Sequence, residues 1–95
     1  MLERRKLTPE EVTDRLSQVP GWELMGDKVG RTFEFSEYQF GLVFATAVGR
    51  IADTMDHHPD ILIGYRKVTV SVNTHDVGGI SDWDFELARK VSALI

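Results

Sequence analysis

The sequence predicts an α+β domain in which three helices pack on one face of a four-stranded antiparallel sheet, in the order α-β-β-α-β-β-α. Three observations predict this. Two capping boxes and a third serine-capped segment each lead into apolar residues at helical spacing. Val68, Val70 and Val72 alternate with Thr69, Ser71 and Asn73, the pattern of a strand with one face buried. Gly26-Asp27 joins two strand-like segments as a hairpin. A sheet with one apolar face needs cover, and the helices supply it on that side.

The elements follow in order. Thr8-Pro9-Glu10-Glu11 is a capping box with proline at the first helical position, and Val12, Leu16 and Val19 form the stripe of a short helix ending at Pro20-Gly21. Strands run from Trp22 to Met25 and from Lys28 to Phe35. Ser36-Glu37-Tyr38-Gln39 is a second capping box. It opens the longest helix, whose apolar face is Phe40, Val43, Phe44, Ala47, Val48, Ile51 and Met55. Thr46, Gly49, Arg50 and Asp53 lie opposite, and Pro59 stops the helix because the residue before proline is pushed out of the α region. Ile61 to Tyr65 and Lys67 to Asn73 are the third and fourth strands. Gly78-Gly79 is a turn, and Ser81 caps a last helix with the stripe Ile80, Trp83, Leu87, Ala88, Val91, Leu94 and Ile95.

Composition excludes several classes of function. A chain of 95 residues is expected to be one domain, residues 1–95, burying about 60 to 65% of its unfolded surface. Such a core is small, so association would help it. With 11 basic and 15 acidic residues the net charge is -4, and no basic face is dense enough for a phosphate backbone. Direct nucleic-acid binding is not expected. The absence of cysteine excludes a disulfide scaffold, a thiol nucleophile and cysteine-based zinc sites. The charged start Leu2-Glu3-Arg4-Arg5-Lys6 does not read as a signal peptide, and no run approaches the ~20 apolar residues of a membrane span. A soluble, cytoplasmic protein is expected.

All three histidines, His57, His58 and His75, fall within nineteen positions. Histidine titrates nearest neutral pH, so proton chemistry is sought here. Asp53 and His57 are four apart; on a continuous helix the carboxylate lies beside the imidazole and, with the helix C-terminus, favours its charged form. An ordinary solvated helix end has the same features. Asp84 falls on the stripe of the last helix, so its carboxylate points inward and needs a partner. Two readings stand: a capping interaction within Ser81-Asp82-Trp83-Asp84, or a functional acid. His75 sits either on a loop aimed by the sheet or in an exposed turn beside Asp76. No metal is expected, because His57 and His58 diverge in a segment that Pro59 keeps extended and suit flanking a flat ligand better than meeting at one ion.

The full spacing is more specific than any single residue. Asp53, His57-His58-Pro59, Tyr65, His75 and Asp84, separated by three, five, nine and eight residues, resemble the signature of the pterin-4a-carbinolamine dehydratases. Pro20-Gly21-Trp22, Phe33-Glu34-Phe35 and Thr74-His75-Asp76 through Gly79, Ile80 and Asp84 extend the resemblance over nearly the whole chain. Ile61-Leu62-Ile63-Gly64 is aliphatic where some relatives carry an aromatic, which bears on pocket shape.

The resemblance implies dehydration of 4a-hydroxytetrahydropterin to quinonoid dihydropterin without metal or cofactor, recycling a pterin. It implies His57, His58 and His75 as acid and base, with Asp84 as an active-site acid orienting an imidazole. Substrate contacts are then expected from Asp53, Asp56, His57, His58, Pro59, Asn73, Thr74, His75 and Asp76. The implied partner is a small pterin, and a homodimer or homotetramer is expected. Relatives also serve as a dimerisation partner of a homeodomain transcription factor in animals, so a protein-binding module is the alternative. Phe85, off the stripe among Glu86, Arg89 and Lys90, is the candidate exposed contact for it.

Overall fold

The computed structural model describes residues 2–95. It contains α1 (Pro9–Leu16), β1 (Glu23–Met25), β2 (Lys28–Glu34), α2 (Tyr38–Met55), β3 (Asp60–Gly64), β4 (Lys67–Val72), a 3-10 turn (His75–Val77) and α3 (Asp82–Ser92). The strands form one antiparallel sheet in the order β1-β2-β4-β3. This is the expected α+β architecture and order.

Register puts the apolar residues on one face. Val29 pairs with Val72 and Phe33 with Val68 across β2 and β4, and all four are buried. Thr32, Thr69 and Leu62 are cross-strand neighbours on the other face, where the two threonine hydroxyls lie 2.8 Å apart and Leu62 is 70% exposed. Period-2 alternation thus separates core from solvent. Phe44 of α2 meets Phe33 at 4.6 Å between ring centres, and Trp22 meets the edge of Phe33 at 6.0 Å. The Trp22 indole N–H reaches Ser92 Oγ at 2.7 Å, tying the start of the sheet to the end of α3.

The capping box of α1 is complete, with Glu11 N–H on Thr8 Oγ1 at 3.2 Å and Thr8 N–H on Glu11 Oε1 at 2.9 Å. The helix ends at Leu16 rather than at Val19, which is carried inward by a following turn. The second expected box does not form. The N-cap of α2 is Glu37, so its third helical residue is Phe40, which cannot reciprocate; Gln39 turns its amide to Glu37 instead.

The buried face of α2 also differs from the expected one. It consists of Gly41, Phe44, Ala45, Val48 and Ala52, whereas Phe40 and Val43 are 44% and 68% exposed. Close approach explains the choice. A Cβ on Gly41 would sit 3.2 Å from Val68 Cγ2, so small residues let this helix lie against the sheet while larger ones are turned out.

Phe85 requires the clearest correction. It is fully buried, among the largest side chains without solvent contact, so it is not an exposed contact surface. The last helix packs against both α2 and β2, and its buried face therefore widens to Asp84, Phe85, Leu87, Ala88 and Val91. Leu94 and Ile95, expected on the stripe, lie beyond α3 and are exposed.

Candidate active site

The site is built where α2 stops. The helix ends at Met55, four residues before Pro59, because Asp56 adopts the left-handed conformation at φ 51° and ψ 45°. Asp56 N–H returns to the Asp53 carbonyl at 3.3 Å and His57 N–H to the Ala52 carbonyl at 3.0 Å, a Schellman closure with aspartate where glycine is usual. The chain reverses there. His57 is carried inside, 6% exposed, and His58 outside.

The expected Asp53–His57 pair is consequently absent. Its premise was a helix continuous through His57, and the left-handed residue breaks that phase. Asp53 Oδ1 instead lies 2.9 Å from His58 Nε2 on the surface, where an ion pair is weak and screened by salt. His57 Nε2 lies 2.6 Å from Asp84 Oδ1, and Asp84 is fully buried.

Both readings of Asp84 are realised at once. Its Oδ2 accepts the Ser81 backbone N–H at 2.9 Å, closing the capping box, and the Thr74 hydroxyl at 2.9 Å. Thr74 Oγ1 lies 2.6 Å from Ser81 Oγ. Since Thr74 donates to the carboxylate, Ser81 donates to Thr74, and Ser81 Oγ in turn accepts the Trp83 N–H at 3.2 Å. Both carboxylate oxygens have donors, one on Oδ1 and two on Oδ2, which is what makes an interior carboxylate tolerable. With the Asp84 carboxylate as acceptor, the proton of this contact sits on His57 Nε2, and Nδ1 makes no hydrogen bond among the described residues.

The remaining candidates lie around this network. His75 and Asp76 are exposed on the 3-10 turn, which Gly78 closes at φ 74°. Arg4 grips Asp76 with two hydrogen bonds, Nε to Oδ2 and Nη2 to Oδ1, each 2.9 Å. This fork holds the Asp76 carboxyl below the usual carboxylate range, and the nearby His57 acts in the same direction. Asn73 and Pro59 are half-buried and Asp56 is exposed. Thr74 is fully buried with its hydroxyl committed to Asp84 and Ser81, so its side chain serves the network rather than an incoming ligand.

Thus His57, Asp84 and Thr74 are joined directly, His58 pairs with Asp53, and His75 stands beside Asp76. Among the described residues no three His, Asp or Glu side chains converge as a metal site. Sequence reasoning read Ser81 only as a helix cap. It overlooked Arg4 altogether, since its partner is 72 residues away and no local pattern announces such a contact.

Residues 5–94 match the family model described as pterin 4 alpha carbinolamine dehydratase. A Sulfurisphaera tokodaii protein assigned by name to the pterin-4-alpha-carbinolamine dehydratases is 44% identical, over 96% of this chain and 98% of that one. An Acidobacterium capsulatum protein of the same designation is 39% identical, over 95% and 98%. The crystal structure of a transcriptional coactivator/pterin dehydratase from Brucella melitensis superposes with a TM-score of 0.89 at 28% identity, over 95% of this chain and 98% of that one.

Proposed function

The chain belongs to the pterin 4 alpha carbinolamine dehydratase family, and from that premise we propose that it removes water from a 4a-hydroxytetrahydropterin by histidine acid–base catalysis. The product is the quinonoid dihydropterin. In this elimination the bond from C4a to the hydroxyl breaks, a proton is delivered to the leaving oxygen, and a proton is taken from N5 as the C4a–N5 double bond forms. Imidazoles perform both transfers near neutral pH, and positioned groups of this kind are worth about 10² to 10⁴ in rate.

The observation that carries the reading is the buried His57–Asp84 contact of 2.6 Å. A carboxylate that fixes one imidazole nitrogen and orients the other is the arrangement a general base or acid needs. His58 and His75, both exposed, supply the further proton-transfer groups. Asp53 and Asp56 offer acceptors for the amino and N–H edge of the pyrimidine ring, with Asn73 and Pro59 as further substrate contacts, while both oxygens of Asp76 are held by Arg4. Burial of Phe85 removes the residue that the protein-binding alternative had offered as its contact.

A stopped-flow record of 4a-carbinolamine decay tests the proposal. Acceleration in proportion to protein concentration is expected, and a decay rate equal to the uncatalysed one overturns the dehydratase assignment.

A further inference from the structure

The segment before α1 is tied to the loop that carries His75 at three successive points. Arg4 holds Asp76 through its two-pronged hydrogen bond. The Lys6 side chain lies against Gly79, so closely that a Cβ there would fall 2.9 to 3.1 Å from its methylene carbons. Leu7 N–H donates to the Ile80 carbonyl at 2.8 Å, and the Leu7 side chain is buried. The loop itself is lightly held: its 3-10 turn has no side-chain cap, and its own bonds are Val77 N–H to Thr74 at 3.1 Å and Gly78 N–H to His75 at 3.0 Å, beside the Thr74–Gly79 bridge.

Arg4 is set apart from its neighbours by what it faces. Its guanidinium lies over the Trp83 ring, 5.9 Å from the centroid, and its charged form is favoured first by Asp76 and further by Asp56 and Asp84. Arg5 points elsewhere, to Glu3 and Glu11. A guanidinium bound in two places fixes the plane of the carboxylate as well as its distance, which a single ammonium does not.

We propose that Arg4 is a positioning residue of the active site: its fork on Asp76 and its seat on Trp83 lock the turn that aims His75. The proposal rests on the dehydratase reading for its catalytic consequence, and on geometry alone for its structural one. Small misplacements of a proton-transfer group are costly in rate, up to about 10²-fold for an ångström. An exposed ion pair contributes little to global stability, so loss of the fork acts on the turn rather than on the fold.

Two measurements on Arg4→Ala, Arg4→Lys and Arg5→Ala test it. Amide hydrogen exchange at Val77 and Gly78 is expected to accelerate about tenfold in Arg4→Ala, with kcat lowered about tenfold and KM changed less than about threefold. Arg4→Lys should recover part of both effects, and Arg5→Ala should show neither. Wild-type exchange rates in Arg4→Ala overturn the proposal whatever the activity, and faster exchange with unchanged kcat overturns the catalytic part. If Arg5→Ala matches Arg4→Ala in both, general fraying of the segment replaces it. A wild-type protein without dehydratase activity would remove the functional premise, and the exchange result would then decide the structural claim alone.

Discussion

Asp84 divides its two carboxylate oxygens between different tasks: Oδ1 meets His57 Nε2 at 2.6 Å, while Oδ2 takes the backbone N–H that starts α3 and the hydroxyl of Thr74. One side chain therefore fixes the start of a helix and the orientation of an imidazole carried by a segment 27 residues earlier. Structure and chemistry are coupled at this residue.

Asp84→Ala should lose both. It strands the His57 ring and the Ser81 N–H in the interior, each costing about 1 to 3 kcal/mol where water cannot reach, while the Thr74 hydroxyl keeps Ser81 Oγ. A loss of about 2 to 4 kcal/mol in urea unfolding is expected, together with a fall in kcat. Unchanged stability would show that the network does not support the fold.

The histidines should separate from the binding groups. His58→Ala and His75→Ala are each expected to lower kcat by about 10 to 10³, whereas Asn73→Ala acts mainly on KM. Water entering a truncated site substitutes weakly for an imidazole, so His57→Ala/His75→Ala should not be simply multiplicative. Wild-type kcat in all of His57→Ala, His58→Ala and His75→Ala would refute the assignment.

Phe85→Ala tests the core. A fully buried phenylalanine cut to alanine costs about 3 to 5 kcal/mol, while Val43→Ser on the outer side of α2 should stay within about 0.5 kcal/mol. Equal losses at both positions would contradict the observed helix faces.

Acid stability carries a local signature. The Arg5 fork lowers the Glu11 carboxyl from its ordinary 4.5 to about 2. A depressed folded-state value adds stability that is fully present above the unfolded value and lost as pH falls through the folded one. Between those limits the wild-type protein should therefore lose stability more steeply than Glu11→Gln, as read from unfolding midpoints. The slope stays modest because the pair is exposed.

Leu62 and Tyr65 are left 70% and 73% exposed, which with the small core leads us to expect self-association. Light scattering should give a mass that is a multiple of 10.8 kDa; a monomer across micromolar concentrations would contradict it.

Much of this fold is legible in the sequence. Capping chemistry located α1 and α3, and strict alternation oriented β4, because both signals are local. The face of α2 was not readable: apolar residues lie on most sides of it, and contact distance to the sheet chose Gly41 and Ala45 over Phe40 and Val43. The partner of His57 was hidden for a different reason. A single left-handed residue, Asp56, changes the phase of everything after it, and periodicity assumes that phase is kept.

That reversal also gives two adjacent imidazoles very different access to solvent. A water-borne acylating reagent should modify His58 and His75 readily and His57 slowly, since only His57 is shielded. The protein would thus present two reactive histidines out of three to its surroundings. The third keeps only a narrow exposure, on the side left to substrate, so its slow labelling measures access to the site rather than its own nucleophilicity.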